Sequence, residues 1–270
     1  KIIGRAGIGV DNIDCNTATE RGVIVVNTPS GNATTTAEHA IAMLMSLSRH
    51  IPQADKSMNG GKWEKSKFTG IEVTGKVLGV FGYGNIGKIA ADRAIGLKMR
   101  VMVFDPFLTA EIAAKNGVEL VTKEKLFERA DYITVHVPLN DSTRNLINKN
   151  TIETMKTGVR IINCARGGIV NESDLIEGLD SGKIAGAAID VFEEEPPPQD
   201  NPLLKHDSVI CTPHLGASTA EAQVNVAVQV AEQIRDYLIS GEIRNSLNCP
   251  SISSEMVKVL SPYLKLCDKL

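Results

Sequence analysis

The chain has 270 residues, of which 43% are hydrophobic and 23% are charged, and its formal net charge is −3. This mixture is typical of globular proteins, and the length suits one large domain or two ordinary ones. The nearly balanced charge argues against nucleic-acid binding, and no apolar run approaches the roughly 20 residues of a membrane span. We therefore expect a soluble protein with neither a nucleic-acid partner nor a membrane partner.

The cysteines and the chain ends carry two further expectations. The five cysteines are odd in number and form no C-x-x-C pair, which argues against a disulfide framework and against structural zinc. We expect free thiols, no metal site and a cytoplasmic location. The chain opens in a strand-like run and closes on a helical pattern without a stop signal, so we also expect a longer protein. The cysteines are Cys15, Cys164, Cys211, Cys249 and Cys267.

The first long predicted helix covers TTTAEHAIAMLMSLSR, residues 34–49. Thr35 and Glu38 match a capping box at its start. Apolar residues occupy nearly every side from Ala40 to Leu47, which predicts burial all round. The helix is therefore expected at a subunit interface or as a core helix that crosses between two domains.

Short apolar runs alternate with segments of 3.6-residue period from Gly75 onward. This alternation predicts an α/β fold with a parallel sheet, and runs that are apolar throughout suit the interior of a doubly wound sheet. One helix is expected to have Asn171 as N-cap and Gly182 as stop. The predicted strands are 77–81, 100–105, 132–137, 159–163, 184–190 and 209–211, and the predicted helices are 86–97, 109–116, 123–130 and 171–182.

The last predicted elements are an irregular acid-proline loop, residues 193–202, and a long helix, residues 220–238. Proline cannot continue a helix or a central strand, so the loop follows from its composition. One face of this helix is expected to be exposed to solvent, and the other is expected to pack in the core. The predicted core face consists of Val224, Val228, Ala231, Ile234 and Leu238.

The stretch VFGYGNIG, residues 80–87, matches the G-x-G-x-x-G pattern of dinucleotide sites. The pattern alone is weak evidence, because it requires a preceding strand, a following helix and an acid about 20 residues further on. All three are predicted here, with Asp105 as the acid. Gly82 would permit a tight turn, Gly84 would let backbone N–H groups approach a pyrophosphate, and Gly87 would let the helix pack closely. The alternative is a glycine turn that binds no ligand.

Asp105 also distinguishes between two cofactors. A carboxylate at the end of the second strand accepts hydrogen bonds from ribose hydroxyls and repels a 2′-phosphate. The sequence therefore predicts a Rossmann domain that prefers NAD to NADP. The alternative is a surface aspartate that starts a turn before Pro106.

Three segments place polar residues after predicted strands, where ligands bind in an open α/β sheet. Arg166 lies in CARGG, Glu195 in VFEEEP and His214 in TPHLGAS. Each has an ordinary explanation as a solvated arginine, a solvated glutamate or a loop histidine. Together they supply what hydride transfer from an alcohol to NAD needs, namely a cation for an acid substrate, a carboxylate and the base that it orients. They are the candidate catalytic residues.

The chain resembles the D-isomer-specific 2-hydroxyacid dehydrogenase family over nearly its whole length. The resemblance rests on the ordered blocks RAGIGVDNID, NTPSGNATTTAEHA, GYGNIGK, NCARGGIVNESDL, GAAIDVFEEEP and TPHLGAST. Several such blocks are far more specific than a glycine motif alone. The resemblance implies that Arg166 binds the substrate carboxylate, that His214 is the acid/base and that Glu195 is its partner.

Further site residues are implied by the same resemblance. The loop Arg5–Gly9 is expected to face the substrate through backbone amides. The residues expected at the substrate are Arg5, Ala6, Gly7, Gly9, Asn32 and Arg166. Those expected along NAD, besides the three glycines, are Asn85 and Ile86 at the pyrophosphate, Asp105 at the adenosine ribose, Val137 and Pro138 at the adenine, and Cys164, Ala165, Asp190, Gly216 and Ala217 near the nicotinamide.

The resemblance also implies a domain organisation, in which a Rossmann NAD domain is inserted in a smaller flavodoxin-like substrate domain. The two long helices would cross between these domains. Because the family normally begins earlier in the sequence, we expect the substrate domain to be incomplete here and the fragment alone to be poorly active. The predicted segments are 1–30 for part of the substrate domain, 31–219 for the NAD-binding domain, 220–250 for the return helix and a substrate-domain segment, and 251–270 for the start of a C-terminal extension.

The activity implied is the NAD-dependent oxidation of 3-phospho-D-glycerate to 3-phosphohydroxypyruvate, the first step of serine biosynthesis. Within the family the tail SISSEMVKVLSPYLKLCDKL is similar to the lead into extra C-terminal domains of the members with this activity. Alternatives are a glyoxylate or hydroxypyruvate reductase, another D-2-hydroxyacid dehydrogenase, and an NAD-sensing corepressor. A methyltransferase is disfavoured by the glycine spacing and by Asp105. A homodimer or homotetramer is also implied.

Overall fold

The computed structural model describes residues 1–253, 255–257, 259, 260 and 263. The predicted C-terminal extension, residues 251–270, lies largely outside the described residues, and Cys267 lies wholly outside them. In chain order the elements are β1 (Ile2–Arg5), α1 (Cys15–Glu20), β2 (Ile24–Asn27), α2 (Ala33–Arg49), α3 (Ile51–Asn59), a 3₁₀ helix (Lys65–Phe68), β3 (Val77–Phe81), α4 (Asn85–Gly96), β4 (Arg100–Phe104), α5 (Ala110–Lys115), β5 (Glu119–Leu120), α6 (Lys123–Arg129), β6 (Tyr132–Val135), α7 (Lys149–Thr154), β7 (Val159–Asn163), α8 (Glu172–Asp180), β8 (Ile184–Ile189), a 3₁₀ helix (Pro202–Lys205), β9 (Val209–Cys211) and α9 (Ala220–Ser240).

The chain divides into two compact units. The smaller unit contains residues 1–35 and 217–270, and the larger unit contains residues 36–216. In the smaller unit, β1 and β2 form a parallel pair and α9 packs against both strands. The assignment of one unit to the substrate and of the other to NAD stays a prediction.

A parallel sheet of seven strands organises the larger unit, in the order β5-β4-β3-β6-β7-β8-β9. The chain order reverses between β3 and β6, and such a reversal opens a crevice at the carboxyl ends of the strands. The predicted α/β class and parallel sheet are confirmed. The sequence pattern missed β5, because two residues are too short to show periodicity.

Two apolar layers cover the two faces of this sheet. Along β3, Val77 and Phe81 pack into one cluster, and Leu78 and Val80 pack into the other. Helices α6, α7 and α8 supply side chains to the first cluster, and α2, α4 and α5 supply side chains to the second. Burial on both faces explains why the strand is apolar throughout.

The predicted capping box and the predicted burial of the first long helix are wrong. Because α2 begins at Ala33, Thr35 lies inside the helix, and its hydroxyl lies 3.3 Å from that of Thr219, the N-cap of α9. Ala42 is exposed, and Ile41 is only half-buried. An apolar stretch in a helix therefore did not imply that every side of it is covered within one chain.

The predicted core face of the last long helix is wrong at most of its positions. Val224, Val228 and Leu238 are 62%, 51% and 60% exposed. Ile234 of the predicted face does pack on β1, next to Val230 from outside that face, since a Cβ added at Gly4 would overlap both side chains. This helix carries two apolar stripes, and periodicity alone cannot decide which of them meets the sheet.

Local capping produced short helices that the sequence analysis did not predict. Asp14 caps α1, and Asn148 with Thr151 forms a capping box on α7. The predicted Asn171 cap of α8 is present, with its side chain accepting from the amide of Asp174. No described helix is both long and apolar enough to span a membrane.

Candidate cofactor and active site

The turn between β3 and α4 is built by glycines that have no room for a side chain. Gly82 has φ 89°, and a Cβ added there would lie 2.5 Å from the carbonyl oxygen of His136. A Cβ added at Gly87 would overlap the carbonyl of Gly82. The first and third glycines of the pattern are therefore required by the turn itself, whether or not a ligand binds.

The second glycine of the pattern is different, because the space next to it is open. Gly84 is the N-cap of α4, and a Cβ added there would meet no described atom within 4 Å apart from its chain neighbours. Gly84 itself has no side chain to cap this helix, whose first turn contains Asn85, Ile86 and Gly87. A helix start that opens onto free space suits a pyrophosphate, whose charge the helix dipole favours.

Asp105 connects the second strand of the Rossmann unit with the glycine turn. Its Oδ2 accepts from the amide of Tyr83 at 2.7 Å, and its Oδ1 accepts from the amide of Phe107 at 2.7 Å. The half-buried carboxylate thus lies beside the glycine turn. Its predicted contact with a ribose stays a prediction.

The predicted adenine residues adjoin the same turn. Val137 and Pro138 follow the carboxyl end of β6, and Val137 Cγ1 lies 2.8 Å from a Cβ added at Gly82. The segments that follow β3, β4 and β6 therefore meet at one edge of the sheet. This is the edge where open α/β sheets bind ligands.

His136 lies beneath the glycine turn and was not singled out from the sequence. Its Nε2 lies 3.0 Å from the hydroxyl of Thr134, whereas its buried Nδ1 has no hydrogen-bond partner among the described residues. Loss of hydration lowers the pKa of His136 to about 4. The imidazole is therefore neutral at physiological pH. A histidine inside the apolar run YITVHV was the available signal.

The acid/base candidates form a close pair at the far side of the sheet. His214 Nδ1 lies 2.7 Å from Glu195 Oε2, and the other carboxylate oxygen of Glu195 accepts from the amide of Phe192 at 3.1 Å. The side chains of His214 and Glu195 are 48% and 37% exposed. A carboxylate on Nδ1 selects the tautomer with its proton there, which leaves Nε2 as the basic nitrogen.

Arg166 lies in a loop after β7 that Asn163 holds. The side chain of Asn163 donates to the carbonyl of Arg166 at 2.9 Å and accepts from the amide of Ala165 at 3.0 Å. Arg166 is half-buried, and its Nη1 donates to the carbonyl of Ala165 at 2.6 Å. Sequence reasoning missed Asn163, although a polar residue that closes the apolar run VRIIN is a signal of the same kind.

Asp190 is fully buried at the end of β8. Burial raises the pKa of Asp190, but hydrogen bonds from His39, Thr212 and Leu215 more than offset this effect, so the pKa lies below its ordinary value. The side chain is therefore a carboxylate. Its Oδ2 also accepts from the amide of Gly216 at 2.8 Å, which brings two of the predicted nicotinamide residues together.

Cys164, another predicted nicotinamide residue, lies near Asp190. His39, Cys164 and Asp190 each have one potential metal-ligand atom here, and the three atoms lie within 4.8 Å of one another. Burial, and then the charge of Asp190, raise the pKa of the Cys164 thiol, so it stays protonated. Because the Asp190 oxygens already accept hydrogen bonds from His39, Thr212, Leu215 and Gly216, we interpret His39 and Asp190 as parts of a hydrogen-bonded network, with the Cys164 thiol packed beside it. The other described cysteines, Cys15, Cys211 and Cys249, are also free thiols.

The predicted substrate loop lies in the smaller unit and is anchored beside β2. The amide of Gly7 donates to the hydroxyl of Thr28 at 2.7 Å, and Nδ2 of Asn27 donates to the carbonyl of Ile8 at 2.8 Å. Arg5 Nη1 donates to the carbonyl of Ala6 at 2.7 Å. The amide of Gly7 therefore serves the fold of the loop. The predicted substrate contacts of Arg5–Gly9 and of Asn32, which is 8% exposed, stay predictions.

Comparison with known proteins gives consistent results. Residues 41–216 match the family described as D-isomer specific 2-hydroxyacid dehydrogenase, NAD binding domain. The chain is 51% identical over all 270 residues to the D-3-phosphoglycerate dehydrogenases of Archaeoglobus fulgidus and Bacillus subtilis, and it spans about half of their length, 51% in each case. It is 32% identical to a glyoxylate reductase from Paecilomyes thermophila, with a TM-score of 0.85 over 92% of this chain and 75% of that structure.

Proposed function

Because the chain belongs to the D-isomer specific 2-hydroxyacid dehydrogenase family, we propose that it oxidises the hydroxyl group of a D-2-hydroxyacid with NAD, and that the acid is 3-phospho-D-glycerate. The observation that carries the proposal is the 2.7 Å pair of His214 and Glu195. This pair supplies a base oriented by a carboxylate, as removal of a hydroxyl proton requires.

The residues of the larger unit suit the cofactor. The open space at Gly84 and the start of α4 would hold the pyrophosphate, and Asp105 would hold a ribose. When bound, NAD accepts the hydride that leaves C2 of the substrate. If Asp105 is the ribose ligand, Asp105→Ala lowers the preference for NAD over NADP. An unchanged preference contradicts this assignment.

Each catalytic candidate has a distinct task at the substrate. His214 Nε2 takes the proton of the C2 hydroxyl, and Glu195 stabilises the imidazolium that forms. Arg166 offers a planar guanidinium, which suits the substrate carboxylate. With the hydride on the cofactor and the proton on His214, the product is a 2-oxoacid.

The choice of a phosphorylated substrate rests on the relatives. Two curated proteins from an archaeon and a bacterium, both 51% identical to this chain, are named D-3-phosphoglycerate dehydrogenase. The solved glyoxylate reductase is less similar, at 32% identity. We therefore favour oxidation of 3-phospho-D-glycerate to 3-phosphohydroxypyruvate, the first step of serine biosynthesis, over reduction of glyoxylate or hydroxypyruvate.

The test is steady-state NADH production by the complete protein. We expect 3-phosphoglycerate to be preferred to D-lactate and D-glycerate, and to be preferred to glyoxylate and hydroxypyruvate in the reductive direction. Preference for an unphosphorylated acid overturns the substrate assignment. NAD binding without turnover of any acid favours an NAD-sensing corepressor instead.

The role of His214 is tested in the same assay. His214→Gln should lower kcat by about 100- to 10,000-fold, because it removes the base and leaves the cofactor residues in place. His206→Gln is the matched control, since His206 lies before β9 at the opposite end of that strand. Near-normal turnover by the His214 variant contradicts the acid/base assignment.

We propose the predicted domain roles, assembly and location on the same basis. The glycine turn and the catalytic pair support cofactor binding by residues 36–216, within the predicted segment 31–219. Exposed apolar side chains near α3 support a homodimer or homotetramer, namely Ile51, Met58 and Trp63, which are 54%, 53% and 80% exposed. Light scattering tests the assembly. Free thiols support a cytoplasmic location.

A further inference from the structure

The turn that presents His214 is folded around the carboxylate of Asp190. Asp190 Oδ1 accepts from the hydroxyl of Thr212 at 2.5 Å and from the amide of Leu215 at 2.7 Å. Asp190 Oδ2 accepts from the amide of Gly216 at 2.8 Å. The carboxylate therefore holds the chain on both sides of His214.

The backbone of His214 itself is in an unusual conformation. Its φ is 52°, in the left-handed region that residues with a Cβ seldom adopt. The amide of His214 donates to the carbonyl of Asp190 at 2.9 Å and to that of Thr212 at 3.0 Å. Such a conformation persists when its surroundings determine it, and here both the main chain and the side chain of Asp190 do so.

His39, on α2, completes the shell around this carboxylate. Its Nε2 lies 3.2 Å from Asp190 Oδ1 and 3.2 Å from the hydroxyl oxygen of Thr212. Since the Thr212 hydroxyl already donates its proton to Asp190, both atoms facing Nε2 present lone pairs. Nε2 therefore carries a proton and donates to them.

We propose that His39 is a positioning residue for the acid/base His214. It acts through Asp190 and Thr212, keeps the 212–216 turn in place and thereby holds the His214 imidazole against Glu195. This inference rests on the proposed function, because it assigns His39 a part in the same reaction. His39 itself makes no contact with the substrate in this proposal.

Two substitutions at His39 distinguish the effect of losing its hydrogen bond from the effect of replacing its side chain. His39→Leu removes the donor, and His39→Gln retains an N–H at about the reach of Nε2. We expect His39→Leu to lower kcat by about 10- to 100-fold with a much smaller change in the dissociation constant for NAD, because a displaced catalytic group slows the chemical step more than it weakens binding. His39→Gln should recover most of the rate.

The matched control is His206→Leu. His206 also faces a carboxylate, with Nε2 3.6 Å from Asp180 Oδ1, and its side chain is 21% exposed against 19% for His39. It precedes β9, whereas Thr212 follows that strand. The control should keep the wild-type kcat. Equal loss in both leucine variants, or an unchanged kcat in His39→Leu, overturns the proposal.

A measurement that does not depend on turnover distinguishes failure of the His39 proposal from failure of the proposed function. The ring signal of His214 can be followed by NMR with labelled histidine, the signal being assigned by its absence from His214→Gln. Glu195 faces the ring, and the buried Asp190 charge lies behind the turn. Since contact with Glu195 contributes to the chemical shift of this ring, His39→Leu should move the signal away from its wild-type position, and His39→Gln should not.

If His39→Leu does not fold, Thr212→Val tests the same network from its other side. Its effect on the His214 ring signal should match that expected for His39→Leu, and folding is checked by the unfolding midpoint. An unchanged His214 ring signal in a folded Thr212→Val protein contradicts the proposal. If the variants show the expected NMR changes but the wild-type protein shows no turnover, the result contradicts the proposed function and leaves the role of His39 in the turn intact.

Discussion

The turn after β3 depends on glycines, which have no side chain, whereas the turn after β9 is built around one buried side chain. In the first, Gly82 and Gly87 leave no room for a carbon atom. In the second, the Asp190 carboxylate collects the donors of Thr212, Leu215 and Gly216. The first turn therefore tolerates no added atom at Gly82 or Gly87, and the second tolerates no lost acceptor at Asp190. Both lie at the edge of the sheet where the reaction is proposed.

The largest expected effect on stability comes from removing the carboxylate of Asp190, which accepts the hydrogen bonds of the second turn. Asp190→Asn replaces a carboxylate oxygen with an amide that faces N–H donors, so buried donors lose their partner. We expect the free energy of unfolding to fall by about 3 to 5 kcal/mol, as when one partner of a buried charged network is removed. Chemical denaturation measures it. A loss below about 1 kcal/mol contradicts the description of Asp190 as the centre of the turn.

The supports of the two turns should respond differently to acid. His136, beneath the glycine turn, has its pKa lowered to about 4 from 6.5, so the unfolded chain takes up a proton between these values and the folded chain does not. Stability should fall by up to about 3 kcal/mol as the pH drops from 6.5 to 4. His136→Leu should flatten this part of the profile of unfolding free energy against pH.

Asp190 gives the contrasting behaviour. Its pKa lies below 3.8, so its contribution to stability is present above that pH and is lost only at lower pH. Acid should therefore weaken the support of the glycine turn first. An unchanged pH profile in His136→Leu contradicts this order.

An added methyl group should break the glycine turn by crowding. In Gly87→Ala the new Cβ overlaps the carbonyl of Gly82, so α4 or the turn must shift. We expect a loss of about 1 to 3 kcal/mol in unfolding free energy together with weaker NAD binding. Thermal unfolding and NAD titration measure the two effects. Full stability of this variant contradicts the steric explanation.

The smallest effect on stability is expected at Gly84, where the same methyl group has space. Gly84→Ala should change the unfolding free energy by less than about 1 kcal/mol, yet weaken NAD binding if a pyrophosphate approaches this backbone. Gly96→Ala is the matched control, because it lies at the other end of α4 and its Cβ would also meet no described atom within 4 Å outside its chain neighbours and the nearby backbone of α4. Equal NAD affinity in both variants contradicts the pyrophosphate assignment.

Prediction from the sequence succeeded for features that one short segment determines by itself. It failed for features that depend on which other part of the fold the segment packs against. The strand 77–81, the glycine turn and the Asn171 cap were all predicted, because periodicity, glycine and capping act over a few neighbouring residues. The packed face of α9 was predicted wrongly. Val224 and Val230 are equally apolar, and contacts such as those at Gly4 and Gly31 select the side of the helix that carries Val230.

The sequence by itself determined the α/β class, the positions of most strands and the polar residues that end them, since alternating periods and chemistry-bearing residues are readable within short windows. Only the tertiary structure decided which of those residues meet. His39 and Asp190 are separated by 151 positions, and their 3.2 Å contact exists because α2 packs on the sheet whose strand β8 ends at the aspartate. A hydrogen bond over such a separation leaves no periodic trace, because its geometry is set by packing and not by neighbours along the chain.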